Sequence, residues 1–278
     1  MIYFRWEVIE LTKKIDKNNV IFQSKEFQDD KYKFYIALKI LSNDCSVIYS
    51  NENDYVIMQM NDNLPIWIWT KDNIENNLVD EVMETIELYF NKKSKITCKK
   101  EFYDLLLEKS ISIIQEKVFE MGTLHCEKTL EPKNIKGTMA LANISDLDTL
   151  AKYWYNDILE TENDNYTLEQ AKIDIESMIS EGNFYILKDQ KDKIVCMARY
   201  TLINDIASIN KVYTPIEERK KGYCANLIYD LSNMLLNQNI TPMLYTDYNY
   251  IPSNKSYMNV GYTKDGILVS FYLNKEDK

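Results

Sequence analysis

Two periods alternate in the hydrophobic pattern of this chain, one of about 3.6 residues and one of about 2, and the points where one replaces the other mark its elements. Val8–Ile15 has a short helical pattern, and Phe34–Leu41 is a firmer amphipathic helix. Ser46–Tyr49 and Tyr55–Met60 are strand-like runs separated by Asn51-Glu52-Asn53-Asp54, whose short polar side chains suit a hairpin turn. Leu64–Thr70 predicts another strand, with Pro65 near its start, where a missing N–H donor costs least. Across Glu75–Phe90 the residues Leu78, Val82, Ile86 and Phe90 recur at every fourth position, the stripe of a helix that packs on a core. Ile96–Lys99 reads as a strand and Glu101–Lys109 as a helix, while the apolar residues of Ser112–Met121 fit neither period.

A polar stretch, Glu127–Thr138, carries Pro132 and Gly137 and predicts a linker, so two domains are expected, 1–127 and 136–278. Met139–Ala142 then predicts a strand, and Ser145 the N-cap of a helix holding Leu147, Leu150, Ala151 and Trp154. Leu168–Ile179 is a second helix, stopped by Gly182. Phe184–Leu187, Ile194–Leu202 and Ile206–Tyr213 are three strands joined through the turn residues Asp189–Lys193 and Asn204-Asp205. Leu227, Ile228, Leu231, Leu235 and Leu236 form one more helical stripe, followed by a strand at Met243–Thr246, a helix from Ser253 and a last strand near Ile267–Leu273.

Composition narrows the partners. A formal charge of −10 disfavours nucleic acid or an anionic membrane. The first ten residues lack a basic region followed by an apolar block, and no apolar run is long enough to cross a bilayer, so a cytoplasmic protein is expected. Cys45, Cys98, Cys126, Cys196 and Cys224 are odd in number and show no C-x-x-C spacing, and His125 is the single histidine. Neither a disulfide framework, a metal site nor a histidine-based triad is expected from such a set.

Against this acidic background one loop stands out. The strand ending at Tyr213 meets Pro215, and Arg219, Lys220 and Lys221 then precede Gly222 at the start of the next helix. Three cations, a glycine that leaves the backbone open and a helix N-terminus with unpaired N–H groups make a site for a phosphate. No glycine occurs before Gly122, so the amino-terminal part is expected to hold no second phosphate cradle of this kind.

The stretch Thr-Pro-x-x-x-Arg-x-x-Gly-Tyr-x-Ala-x-Leu, from Thr214 to Leu227, resembles the acyl-coenzyme-A pyrophosphate loop of the GCN5-related N-acetyltransferases, with Cys224 standing where that family has Gly or Ala. A second stretch, Thr246 to Tyr262, is similar to the family's Thr-Asp-x-x-Asn-Pro-x-Ser-Asn-x-x-Tyr-x-x-x-Gly-Tyr and departs from it at Tyr250 and Ile251. The resemblance covers about Lys136 to Asn274, and the element order of the amino-terminal half resembles a partial copy without the motif.

This resemblance implies an α/β fold, a mixed and mainly antiparallel sheet flanked by helices, with a smaller related amino-terminal domain. It implies acetyl-CoA as co-substrate, held by Val212 and Tyr213 at a splayed strand edge, by Arg219, Lys220, Lys221, Gly222, Tyr223 and Cys224 around the pyrophosphate, and by Asn254. The acceptor would be a primary amine on a small molecule or peptide, with no covalent enzyme intermediate. Tyr257, one turn beyond a capping Ser253, would protonate the departing thiolate, because a phenol is neutral at pH 7 and has one proton to give. No Glu or His lies on Ile206–Tyr213, where Asn210 and Lys211 stand instead, so a base acting through water from the amino-terminal domain, or none, stays open. The rival reading is a module that binds acyl-CoA as a signal without turnover.

Overall fold

A computed structural model describes residues 12–109, 114–134, 136–160 and 165–274. These form two compact units. The first holds the described residues up to Thr123 together with Asp247–Asn249 and those from Asp265 on, and the second holds Leu124–Thr246 and Tyr250–Lys264. The division falls at Thr123/Leu124, inside a strand, rather than at the polar linker expected over Glu127–Thr138. That stretch belongs to the second unit, where the Leu130 N–H donates to the Val260 carbonyl at 2.9 Å and a side chain at Gly261 would collide with the Lys128 carbonyl. Polar composition marks surface chain, and surface chain need not be a hinge.

In the first unit the elements are β1 (Lys13–Lys14), a 3₁₀ turn (Val20–Gln23), α1 (Lys25–Asp29), α2 (Tyr35–Leu41), β2 (Val47–Ser50), β3 (Tyr55–Gln59), β4 (Ile66–Thr70), α3 (Asn76–Tyr89), β5 (Ile96–Lys99) and α4 (Lys100–Lys109). Neighbouring strands run in the order β1-β2-β3-β4-β5, antiparallel except for the parallel pair β4–β5. The helix expected over Val8–Ile15 is replaced in its described part by β1, paired to Ser50 and Tyr49; residues 8–11 lie outside the described residues. The Asn51–Asp54 turn closes the β2–β3 hairpin as expected, with Asn51 Oδ1 accepting from the Asp54 N–H at 2.8 Å. The α3 stripe packs as its period predicts, with Leu78, Val79, Val82 and Ile86 buried in one core with Ile57, Ile66, Ile96 and Phe102.

The run that fitted neither period is β6 (Ile114–His125), within which the chain leaves the first unit. Its expected start at Ser112 lies outside the described residues.

The second unit continues with β7 (Thr138–Leu141), α5 (Leu147–Glu160), α6 (Leu168–Ser180), β8 (Phe184–Lys188), β9 (Ile194–Ile203), β10 (Ile206–Tyr213), α7 (Tyr223–Leu236), β11 (Thr241–Asp247) and α8 (Ile251–Asn259). The strand β12 (Thr263–Leu273) comes next, and from Asp265 it belongs to the first unit, beside β5. Strands β7 to β10 pair antiparallel in sequence order, and β11 lies parallel to β10. Two caps differ from expectation. Asn143, not Ser145, begins the turn into α5, through a capping box with Asp146. Ser253 sits inside α8, which begins at Ile251 with Pro252 in its first turn, because the fixed proline φ suits the opening of a helix. Gly182 does follow the end of α6 in the left-handed region, with φ +71°.

Candidate functional site

The parallel pair β10–β11 is short. Its register runs from Ile206↔Thr241 to Ile209↔Leu244 and then stops, although both strands continue. On its other side β10 keeps pairing to β9 but skips from Asn210 to Tyr213, and Lys211 at the skip has φ +53°. This is a β-bulge, which bends a strand and raises its twist, here at the point where the two parallel strands part. The edge of β10 toward β11 is thereby left without ladder partners at Val212 and Tyr213 among the described residues, as the splay implied by the resemblance requires.

Beyond Tyr213 the chain enters the basic loop. Lys220 and Gly222 have φ of +63° and +90°, and Gly222 is the N-cap of α7 with no side chain capping the helix. The first intrahelical donor of α7 is the Asn226 N–H, so the N–H groups of Tyr223, Cys224 and Ala225 stand ahead of it without a side-chain cap. A Cβ built at Gly222 would meet nothing within 4 Å, so glycine is required there by its left-handed φ and the backbone is open to a ligand. The rest of α7 is anchored by Leu227, Ile228, Leu231 and Leu235, all fully buried.

The loop cations are not equivalent. Arg219 donates through Nη2 to both oxygens of Glu160 at 2.8 Å and through Nε to the Thr214 carbonyl at 2.9 Å, and it lies over the Tyr213 ring at 5.5 Å. Lys221 pairs with Glu218 at 2.8 Å, and Glu218 is shared with Lys193 at 2.6 Å. Lys220 is exposed and has no ion pair among the described residues. The sequence marks Arg219 as a phosphate ligand; the structure adds that a carboxylate engages its Nη2, so an incoming phosphate would share the guanidinium with Glu160 or displace it.

Tyr257 lies on α8, 7 % exposed, between Tyr262 and the buried face of α7. Burial pushes its phenol well above the ordinary range, nearby Cys224 adds to the shift, and a hydrogen bond with Ser253 opposes it. Ser253 thus meets Tyr257 directly instead of capping the helix. The Cys224 thiol is held below its ordinary value by a hydrogen bond with Cys196, which is itself buried and pushed well up. Asn254, the remaining expected ligand, is buried on α8. The structure therefore brings Val212, Tyr213, Cys224 and Tyr257 into one unit around the parting of β10 and β11, with Arg219 to Gly222 at the neighbouring helix end.

Sequence reasoning missed the wall formed by α5. Trp154, Asp157 and Glu160 recur every third residue and so share a helix face, a signal present in the sequence but no stronger than that of an ordinary solvated helix face. The Lys211 Nζ rests 3.9 Å from the Trp154 ring centroid, and the Trp154 indole donates to the Tyr166 hydroxyl at 3.0 Å. Desolvation lowers the Lys211 ammonium pKa, with Asp157 opposing it. A polar depression of about 410 Å³ lined by Asp62, Pro65, Ser94 and Tyr272 belongs to the first unit and includes none of these groups.

No protein-family model matches the sequence, and no curated protein matches it. Solved structures do. A GNAT-family acetyltransferase from Colwellia psychrerythraea is similar at a TM-score of 0.61 and 12 % identity, covering 95 % of this chain and 99 % of its own. A GCN5-related N-acetyltransferase from Sphaerobacter thermophilus gives 0.59 at 10 % identity over 94 % of each chain, and one from Kribbella flavida gives 0.58 at 12 % identity over 91 % and 97 %. The chain has the fold of the GCN5-related N-acetyltransferases, over both of its units. Among the described residues no helix is long and apolar enough to cross a membrane, and no group of three or more His, Cys, Asp or Glu is arranged to hold a metal.

Proposed function

We propose that this protein transfers an acetyl group from acetyl-CoA to a primary amine of a small molecule or peptide, by direct attack of the amine on the thioester. The observation that carries the reading is the end of β10–β11 pairing at Ile209/Leu244, directly beside an uncapped, glycine-opened and cation-flanked helix N-terminus. An extended ligand with amides in its middle and phosphates at one end matches that pair of features. The unpaired edge at Val212 and Tyr213 supplies amide partners, and the N–H groups of Tyr223 and Cys224 with Arg219, Lys220 and Lys221 face the phosphate charge.

Tyr257 supports the transfer chemistry. A phenol whose pKa is raised by burial stays protonated at every physiological pH and so can give its proton to the departing thiolate. Holding amine and thioester together supplies much of the remaining rate. The first unit is assigned a structural role without a coenzyme A of its own, since none of its helices among the described residues opens on a glycine. A cytoplasmic location follows from the same reading of a soluble metabolic donor.

Calorimetric titration with acetyl-CoA should give one site per chain, and a panel of polyamines, amino sugars, amino acids and peptides should contain an acceptor that releases free thiol. A stoichiometry of two would overturn the role given to the first unit. Tight binding of acetyl-CoA with no acetylation anywhere in the panel would favour the alternative, an acyl-CoA-binding sensor.

A further inference from the structure

Among the charged groups near the parting of β10 and β11, one carboxylate stands apart. Glu160 is fully engaged, by Arg219 and by the Tyr213 hydroxyl at 3.1 Å. Asp157, one turn earlier on the same face of α5, is half-buried, and among the described residues no hydrogen bond or ion pair engages its carboxylate. It is nonetheless surrounded by the site. Lys211 at the bulge of β10, Arg219 in the loop and Glu160 on its own helix act on it, and it in turn acts on Tyr213 of β10 and on Tyr257 of α8. The nearest cation on the strand does not neutralise it by contact, because the Lys211 ammonium rests on Trp154. A partly buried carboxylate without a partner is costly and calls for an explanation.

Resting on the acetyl-transfer reading, we propose that Asp157 is the base of the reaction, binding the acceptor as an ammonium ion and taking its proton. The ammonium gives one proton to the Asp157 carboxylate, and the freed nitrogen lone pair forms a bond to the thioester carbonyl carbon. As the carbon–sulfur bond breaks, its electron pair leaves with sulfur, which takes the Tyr257 proton. The second nitrogen proton passes to the Tyr257 phenolate, and Asp157 returns its proton to solvent, so the net products are amide, free thiol and one proton. The contacts on either side of it on α5, Lys211 on Trp154 and Tyr213 on Glu160, set Asp157 against the bulged end of β10, and its environment differs from that of Tyr257: burial pushes Asp157 up to about 6, where it is ionised at neutral pH yet basic enough to accept, while Tyr257 stays protonated.

The test compares native protein with Asp157→Asn, using acetyl-CoA and the best amine of the panel, across about pH 5.5 to 9. Native kcat/KM should be level above about pH 7 and fall below about pH 6, because the enzyme draws on the abundant ammonium. In Asp157→Asn only free amine can react, so kcat/KM should be lower by roughly 10²-fold at neutral pH and climb about tenfold per pH unit toward the amine's own pKa. Acetyl-CoA affinity should be unchanged. The variant should fold, since no partner is lost, and its Tm at pH 8 should equal or exceed the native value.

Carbon-13 NMR of aspartate carboxyls gives a readout independent of turnover, in which one native resonance titrates near 6 and is missing from the variant. An Asp157→Asn protein with native kcat/KM and a native pH profile overturns the proposal, as does the absence of an elevated aspartate titration. Native protein that binds acetyl-CoA, shows the elevated aspartate and acetylates nothing brings down the transfer reading itself, and the role of Asp157 with it.

Discussion

The chain uses one arrangement twice, a strand, a helix and a second strand parallel to the first, and the two copies end differently. In the first unit β4 pairs with β5 from Ile66↔Ile96 to Ile68↔Cys98, and the space at the strand ends is filled. Trp69 is fully buried and donates to Asp30 at 2.8 Å, and the Lys99 ammonium, with its side chain 3 % exposed, reaches Asp30 at 2.5 Å and Asp72 at 2.8 Å. In the second unit β10 and β11 part after Ile209, the bulge at Lys211 leaves Asn210 to Val212 half-buried, and the next helix opens on a left-handed glycine. The same element order thus makes a plugged end or an open one. The difference lies in a bulge, a glycine and whether a buried ion pair occupies the space at the strand ends.

The largest expected effect tests the open end. Tyr257→Phe keeps the ring and its packing but loses the proton, so kcat should fall by about 10²- to 10⁴-fold with KM for acetyl-CoA nearly unchanged. Steady-state kinetics on an acceptor whose chemical step is rate-limiting decides it; an undiminished kcat would mean that water or another group protonates the thiolate. The matching change at the plugged end is Asp30→Ala, which leaves the buried Lys99 with only the exposed Asp72 as partner and also removes the acceptor of Trp69 and the partner of Lys33. Breaking such a buried pair costs about 3 to 5 kcal/mol, read by urea denaturation, while the Kd for acetyl-CoA should not move. A Kd that shifts tenfold would show that the first unit takes part in binding.

Smaller effects sharpen the contrast. Losing a charge-assisted hydrogen bond costs about 1.5 to 3 kcal/mol, so Arg219→Ala should weaken acetyl-CoA binding by about 10- to 100-fold. Glu160→Gln, which removes the carboxylate that now competes for Arg219, should leave affinity equal or improved; calorimetry on the pair separates a phosphate ligand from a merely structural arginine. Last, Gly222→Ala forces a side chain into φ +90° and should cost about 1 to 2 kcal/mol of stability, seen as a lower Tm, with no comparable change expected from a substitution at the glycine-free start of α3.

Local sequence determined the elements. Periodicity marked α3 and α7 and the strands β3, β4, β5 and β8 to β11 within a few residues, because side-chain alternation and turn chemistry act over a handful of positions. Local composition also singled out Arg219 to Gly222 as the loop proposed to hold phosphate, since cations, a glycine and a helix start are all local features. Where a neighbour in sequence held the deciding influence, the reading slipped by a residue or two: Asn143 took the cap expected of Ser145, and α8 began at Ile251, with Pro252 in its first turn, ahead of Ser253.

Only the tertiary structure decided what depends on contacts between distant residues. Sheet pairing turned Lys13–Lys14 into a strand. Packing sent the residues from Asp265 to the first unit, and tied the polar stretch after Glu127 into the second. The ion pair that holds Arg219 joins residues 59 positions apart, and Asp157, without a hydrogen-bond or ion-pair partner among the described residues, gains meaning only from Lys211, Arg219 and Tyr257, which no helical or strand period connects to it. Periodicity reports which face of an element is buried; what lies opposite that face is fixed by the fold, and the chemistry proposed for this site rests on those opposed residues.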